Sequence, residues 1–165
     1  MRRLALVLLL LVASHPARAG YEQAVLAYDQ GRFPEALGSF QRLAERGDPG
    51  AEFMLGAMYF YGKGVRRDDG AAAIWFYKAA LKGNPNAQLA FGSLHIRGLG
   101  VRQDLVKAYM WLTVSADHGV PGLQQQATAL RDEAARLMRS DEVERARRLA
   151  ATWRPQRAGL VDFSD

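Results

Sequence analysis

Apolar residues recur along most of the chain at spacings of three and four, which is the period of one helix face. Polar residues fill the positions between them, and glycines interrupt the pattern between one stripe and the next. In one such pair of segments the stripes are Ala51, Met54, Leu55, Met58 and Tyr59, then Ala72, Trp75, Phe76 and Ala79. The pattern predicts amphipathic helices that are joined in pairs by loops.

The same pattern returns after 36 residues. Segments 51–86 and 87–122 are identical at 12 of 36 positions, and a Gly-x-Pro tripeptide begins at Gly47, Gly83 and Gly119. A fixed period of this length is typical of stacked helical solenoids. The structural signature of the repeat is Gly56, Gly62, Gly64, Asp68 and Trp75, which are matched by Gly92, Gly98, Gly100, Asp104 and Trp111.

Signals for helix starts and ends stand at fixed places within each period. Asp48 and Asn84 are good N-caps, and each is followed by a proline, which suits the first helical position. The Gly-x-Gly element of each period predicts a helix exit, because glycine tolerates the positive φ that such an exit needs. Asp68 or Asp69 is expected to cap the second helix of the first period.

These elements predict an all-α fold, a right-handed α-solenoid of antiparallel helix pairs with about eight helices. The first pair has a shorter loop without the Gly-x-Gly element, as in a plain tetratricopeptide-type hairpin. Ser140 is expected to cap the last helix at the far end of the stack. The predicted segments are 1–19, signal peptide; 20–47, N-terminal hairpin; 48–83, first repeat; 84–119, second repeat; 120–154, C-terminal capping helices; and 155–165, flexible tail.

The N-terminus has the organisation of a secretory signal peptide. Arg2 and Arg3 precede an apolar run at residues 4–13, and a small-x-small site predicts cleavage after Ala19. An uncleaved membrane anchor is the alternative, but the apolar run is too short to cross a bilayer as a helix. We therefore expect an exported protein, periplasmic or secreted, with no membrane insertion after cleavage.

Composition excludes several classes of function. Removal of the three arginines of the signal peptide lowers the formal net charge of +5 by three, so a nucleic-acid partner is not expected. The chain has no cysteine, which excludes disulfides, a thiolate nucleophile and a Cys-rich zinc site. His95 and His118 lack the further ligands of a metal site, and the Gly-x-Gly loops lack the residues of a phosphate loop. No catalytic residue, cofactor or metal is predicted, and the protein is expected not to be an enzyme.

The repeated consensus resembles the Sel-one-like repeat family, a branch of the tetratricopeptide superfamily. Both copies, within residues 51–119, carry the spaced glycines, the valine, the aspartate, the tryptophan and the alanine in phase. Two positions depart from the pattern: His95 replaces the aromatic residue that Tyr59 represents, and Ala71 stands where Lys107 keeps a lysine. The resemblance implies a superhelix that acts as an adaptor for protein complexes, often in envelope assembly, export or signalling.

In such superhelices the first helix of each pair lines the concave side, and we take the candidate binding residues from it. Their mixture of aromatic, arginine and polar side chains suits an unknown protein or peptide partner. A monomer is expected. Phe60 and Tyr61 have the alternative role of packing between repeats. The candidate partner-binding residues are Glu52, Phe60, Tyr61, Gln88, His95 and Arg97.

Two other functions remain open at this point. Aromatic residues beside a groove would also suit peptidoglycan or another envelope polysaccharide. A cysteine-rich branch of the family has been linked to β-lactam hydrolysis, but this chain has neither the cysteines nor a Ser-x-x-Lys motif. Weak hydrolysis is therefore the least favoured function.

Overall fold

A computed structural model describes residues 16–156 of the 165-residue chain. Within this range the chain forms helices and no strand, as the sequence predicts. Each of the first six helices packs against the next one along the chain, and the last helix packs mainly against the sixth. Short connections of this kind make consecutive helices antiparallel. The eight helices are α1 (Pro16–Asp29), α2 (Phe33–Glu45), α3 (Pro49–Tyr61), α4 (Asp69–Leu81), α5 (Pro85–Arg97), α6 (Leu105–His118), α7 (Pro121–Ala135) and α8 (Ser140–Thr152).

Side-chain caps begin all four helices of the two repeats. The carboxylate of Asp68 accepts a hydrogen bond of 2.9 Å from the N–H three residues later, so Asp68 rather than Asp69 caps α4. A side-chain oxygen in this position satisfies one of the unpaired N–H groups of the first turn. The same bond begins α3, α5 and α6, with Asp48, Asn84 and Asp104 as the acceptors.

The Gly-x-Gly loops connect the two helices of each repeat and also contact the preceding pair. The first glycine of each loop ends α3 or α5 with a φ of 66°, in the left-handed region, as predicted. The second glycine lies against the first residue of the second helix in the preceding pair. A Cβ at Gly100 would lie 2.0 Å from the carbonyl oxygen of Asp69, and one at Gly64 would lie 2.8 Å from the Cβ of Phe33. Such close backbone approach requires glycine.

The core lies between the stacked pairs, and the two signature tryptophans both contribute to it. Trp111 is buried, and its ring centroid lies 5.9 Å from the rings of both Phe91 and Trp153. Trp75, its counterpart in the first repeat, is half-buried, and the Nζ of Lys78 lies 4.4 Å from its ring centroid. Both tryptophans therefore pack as predicted. Trp153, which follows α8, covers Trp111 but not Trp75.

Two details at the C-terminal end differ from the prediction. Ser140 begins α8 without capping it, and instead the carboxylate of Glu142 accepts a hydrogen bond of 2.9 Å from the N–H of Arg139. The predicted flexible tail, residues 155–165, is bound to the stack near its start, because the N–H of Gln156 donates to the carbonyl of Leu81 at 2.8 Å.

The rest of that tail lies outside the described residues, and so does the part of the predicted signal peptide that precedes α1. No helix within the described range has the length and apolar character needed to cross a membrane.

Candidate functional site

The first helices of three successive pairs, α3, α5 and α7, enclose a groove of about 550 Å³. We call it the inner groove. Phe53, Ala57 and Phe60 of α3 line it because spacings of four and three place side chains on one helix face. The same spacing brings Leu89 and Ser93 of α5 to the groove. The repeat therefore presents equivalent helix faces side by side.

Aromatic rings form the α3 wall of the inner groove. The rings of Phe60 and Tyr61 meet edge to face with centroids 5.1 Å apart, and the guanidinium of Arg67 lies 5.5 Å from the Phe60 ring centroid. Phe53 packs on Phe76 of α4 at 5.7 Å. Phe60 is thus held between two neighbours, whereas Tyr61 is 65% exposed. An exposed aromatic ring on a supported wall is typical of a binding surface.

Arg97 is the single charged side chain among the described residues that line the inner groove. It occupies the last position of α5, one period after Tyr61. The side chain is exposed, and within residues 16–156 it forms no hydrogen bond or ion pair. Its guanidinium can therefore bind a planar acceptor such as a carboxylate through two parallel hydrogen bonds.

The six predicted binding residues divide into two groups of three. Phe60, Tyr61 and Arg97 line the inner groove, although their role in binding stays a prediction. The placement of the other three on an open concave surface is wrong: the exposed fractions of Glu52, Gln88 and His95 are 3%, 0% and 6%. Each of them is covered by neighbouring elements of the stack.

Glu52 and Gln88 are one period apart, and each connects its own helix to the C-terminal end of α4. The Nζ of Lys82 lies 2.6 Å from a carboxylate oxygen of Glu52 and also donates to the carbonyl of Gly47 at 3.2 Å. The side-chain amide of Gln88 donates to the carbonyl of Ala80 at 3.1 Å. Both side chains therefore fix the contact between elements of the stack instead of facing a partner.

His95 is packed inside the second repeat. Its Nδ1 lies 3.1 Å from the carbonyl oxygen of Arg102, so Nδ1 carries the proton and donates. Its ring meets that of Phe91 edge to face at 4.7 Å, and its buried Nε2 has no hydrogen-bond partner among the described residues. Burial lowers the pKa of His95 below its ordinary value of 6.5; the Arg102 carbonyl and Asp104 oppose this shift, and Lys107 adds to it.

This lowered pKa predicts a pH-dependent stability. Unfolded His95 takes up a proton near pH 6.5 while the folded form resists it, so the unfolded state binds more protons below that pH. The contribution of His95 is therefore complete above pH 6.5 and is lost as the pH falls towards the lower pKa of the folded form. We expect the urea midpoint to drop more between about pH 7.5 and about pH 5 for the wild type than for His95→Phe. Equal drops would contradict the assignment.

The contribution of α7 to the inner groove was not predicted from the sequence. Leu123, Gln126 and Leu130 line it from the third side, although residues 120–154 were expected only to cover the end of the stack. The spacing of three and four among these side chains is the available signal, because it places them on one face of α7.

Within the described part of the chain, no group of three or more His, Cys, Asp or Glu residues could hold a metal ion.

The two predicted repeats match a known repeat family. The model of the Sel1 repeat matches residues 49–84 and 85–120, one residue out of phase with the segments predicted from the sequence. No curated protein matches the chain. The two matched segments contain α3 to α6 and the α3 and α5 walls of the inner groove.

Two solved structures show the same fold. One is c5321, described as a protective antigen present in uropathogenic Escherichia coli strains that displays an SLR fold; it is 28% identical, with a TM-score of 0.76 over 84% of this chain. This chain spans only 30% of the length of c5321. The other is a Sel1 repeat protein from Oxalobacter formigenes, 29% identical, with a TM-score of 0.60 over 69% of this chain and 89% of that one.

Proposed function

This chain is a Sel1-like repeat protein across residues 49–120, and from that premise we propose that it is a non-enzymatic scaffold of the cell envelope whose inner groove binds a peptide segment of a partner protein. Sel1 repeat proteins are helical-repeat scaffolds for protein interaction. The observation that carries the proposal is a groove made by α3, α5 and α7 with a mostly apolar lining and one cation, Arg97, that pairs with no other side chain within residues 16–156.

The lining supports a partner with apolar anchor residues. Phe53, Leu89 and Leu130 come from three different helices, and Tyr61 projects beside them. Aromatic anchors that enter such desolvated sites supply most of the free energy of binding at protein interfaces. A peptide that crosses the three helices would bury these side chains together.

Arg97 supports a partner that also carries a carboxylate. Its guanidinium has no partner within residues 16–156 and stands beside the apolar side chains of Leu94 and Leu99. An ion pair formed there would be partly shielded from water, which strengthens it. The expected ligand is therefore a peptide in which apolar residues flank an aspartate or glutamate.

A displayed library of random peptides tests both features. Peptides selected on the wild-type protein are expected to combine aromatic or branched apolar residues with an acidic residue. Tyr61→Ala and Arg97→Ala should each weaken the binding of a selected peptide by at least about tenfold, or about 1.4 kcal/mol, as measured by titration calorimetry.

Ile74→Ala and Arg66→Ala are the matched controls, because both residues are exposed and neither lines the inner groove. Their affinity should equal that of the wild type. Peptides that bind equally well to Tyr61→Ala and Arg97→Ala would sink the proposal. If no peptide is enriched but purified peptidoglycan retains the wild type and releases Tyr61→Ala, the polysaccharide alternative replaces it.

Export is supported by where the buried residues of α1 lie. Ala24 and Ala27 are buried, and the ring of Tyr21 packs on that of Phe40 with centroids 5.9 Å apart. All of these α1 residues follow the predicted cleavage site after Ala19. Cleavage would therefore leave the packed part of the helix in the mature chain.

Mass spectrometry of the protein expressed in a bacterium tests export. We expect a periplasmic product that begins at Gly20, and Ala19→Glu should block its formation because the cleavage site requires a small residue. Recovery of the wild type only in the cytosol, with Met1 or residue 2 at its start, would contradict export.

The purified product should not turn over a chromogenic β-lactam.

A further inference from the structure

A second groove, which shares no described lining residue with the inner groove, lies among the second helices of the pairs. It has a volume of about 1080 Å³ and is bounded by α4, α6, α8 and the loop between α5 and α6. We call it the outer groove. A partner bound there would leave the lining of the inner groove free. The apolar lining of the outer groove includes Tyr77, Leu105, Met110, Trp111, Leu137 and Leu149.

Three apolar side chains of the outer groove are exposed to solvent. Leu137, between α7 and α8, is 68% exposed, and Leu149 of α8 is 44% exposed. Tyr77 of α4 is exposed as well. These side chains come from three separate elements and line one cavity. A grouped apolar surface of this kind is typical of an interaction site.

The rim of the outer groove carries charges of both signs. Its cations are Arg102, Lys107 and Arg145, and its anions are Asp104 and Glu142. The two carboxylates each accept a main-chain hydrogen bond at the start of a helix and keep their negative charge while they do so. A partner of a single charge sign would therefore meet like charges in the groove, which opposes binding. A partner surface that itself carries both signs can face each rim charge with its opposite.

The residues that α8 and the turn before it contribute to the outer groove have a symmetric order. From the N-terminal side they are an apolar residue, an anion, a cation and an apolar residue: Leu137, Glu142, Arg145 and Leu149. We call them the α8 stripe. A second copy of the stripe that runs antiparallel places leucine against leucine and Glu142 against Arg145, in both directions. Both pairings have their centre close to Val143, so a single two-fold axis produces them together.

Arg145 is available for such a pairing. It is exposed, and within residues 16–156 it forms no hydrogen bond or ion pair. Most of the other charged residues of α8 already have side-chain partners in their own chain, and the pairs are Asp141 with Arg139, Glu144 with Arg148, and Arg147 with the hydroxyl of Tyr109. The charges of the α8 stripe are therefore the ones that α8 offers to a partner.

We propose that two copies of this chain associate through their outer grooves, with the α8 stripes antiparallel about a two-fold axis near Val143. Leu137 of each copy packs on Leu149 of the other, and Glu142 pairs with Arg145 across the interface. The 13 residues of α8 span only about 20 Å, so the interface is small and the dissociation constant is expected in the micromolar range. The dimer leaves both inner grooves open.

Sedimentation velocity of the purified protein from about 1 µM to about 500 µM tests the association. The sequence led us to expect a monomer, whereas the proposal predicts conversion to a dimer across this range. Arg145→Glu gives the α8 stripe two anions, and Glu142→Lys gives it two cations. Each variant should dimerise at least about tenfold more weakly than the wild type, because like charges then meet across the axis.

An equimolar mixture of Arg145→Glu and Glu142→Lys should associate again, since the two stripes now have opposite charge. This recovery separates charge pairing from damage to the fold, which matters because Glu142 also bonds the N–H that precedes α8. Circular dichroism confirms that each variant is folded. Arg66→Glu is the control, because Arg66 is exposed and lines neither groove, and it should dimerise like the wild type.

Three results would each overturn the proposal. The first is a wild type that stays monomeric throughout the range, in which case another segment or a different partner covers the outer groove. The second is a dimer that Arg145→Glu leaves unchanged, since another surface would then form it. The third is a mixture of the two folded variants that associates no better than either variant alone.

Discussion

Trp111→Ala is expected to lower the free energy of unfolding by about 3–5 kcal/mol. Trp111 is buried and its ring contacts those of Phe91, Tyr77 and Trp153 at centroid distances of 5.9, 6.3 and 5.9 Å. Alanine would leave a cavity between the second repeat and the chain after α8. Urea unfolding followed by circular dichroism at the helix band measures the change without relying on tryptophan fluorescence.

Trp75→Ala is the matched control because Trp75 has the same position in the first repeat. It is half-buried, and in the described part of the chain no ring covers it as Trp153 covers Trp111. Its truncation should therefore cost about 2 kcal/mol, nearer the value for a partly exposed apolar side chain. If the two variants lost the same free energy of unfolding, the cover that Trp153 provides would have no energetic significance.

Gly100→Ala is expected to be nearly as damaging, at about 2–5 kcal/mol, although it adds only one methyl group. Gly100 has a φ of +67°, which disfavours any side chain. The added Cβ would also lie 2.0 Å from the carbonyl oxygen and 2.3 Å from the carbonyl carbon of Asp69. These atoms belong to the first turn of α4 and cannot move without shifting that helix. The urea midpoint measures the loss.

Gly122→Ala makes the same chemical change where neither problem exists. Gly122 lies in the first turn of α7, and a Cβ there would meet nothing within 4 Å. Alanine should raise the free energy of unfolding by about 0.5–1 kcal/mol, because it restricts the unfolded chain and favours the helix. A loss at Gly122 comparable to that at Gly100 would show that glycine loss, not the contact with Asp69, is responsible.

The helices and their ends could be predicted because their determinants lie close together in the sequence. Asp68 and Asp104 cap the helix that begins at the next residue, and the first glycine of each loop ends the helix before it. The period then placed these elements twice, so each repeat supported the interpretation of the other. The all-α stack of helix pairs follows from that agreement.

The surface of the groove could be predicted only in part, because burial depends on elements distant in sequence. Glu52 was assigned to the concave face from its helix position, but Lys82, thirty residues later, pairs with it and helps bury it. His95 is enclosed by Phe91 and the loop that carries Arg102. The recurrence of a long polar side chain at Glu52 and Gln88 was the available signal of a shared structural role.

The C-terminal end was the least predictable part of the described chain. Its residues belong to no repeat, so no second copy could correct their interpretation. Ser140 has the residue type of an N-cap, but its side chain does not cap α8. Instead, the carboxylate of Glu142 accepts a hydrogen bond from the N–H of Arg139. Gln156 was assigned to the flexible tail because nothing near it in the sequence predicts a contact. Its N–H donates to the carbonyl of Leu81, which is distant in sequence.

The contact of Gly64 with Phe33, repeated by that of Gly100 with Asp69, determines how one unit is displaced from the next. Since main-chain atoms take part in both of these contacts, the step between units does not depend on which side chains line the inner groove. Variants with altered groove chemistry should therefore keep the same curvature. Units of this type can be extended in number, or recombined with others, to display new combinations of side chains on an unchanged frame.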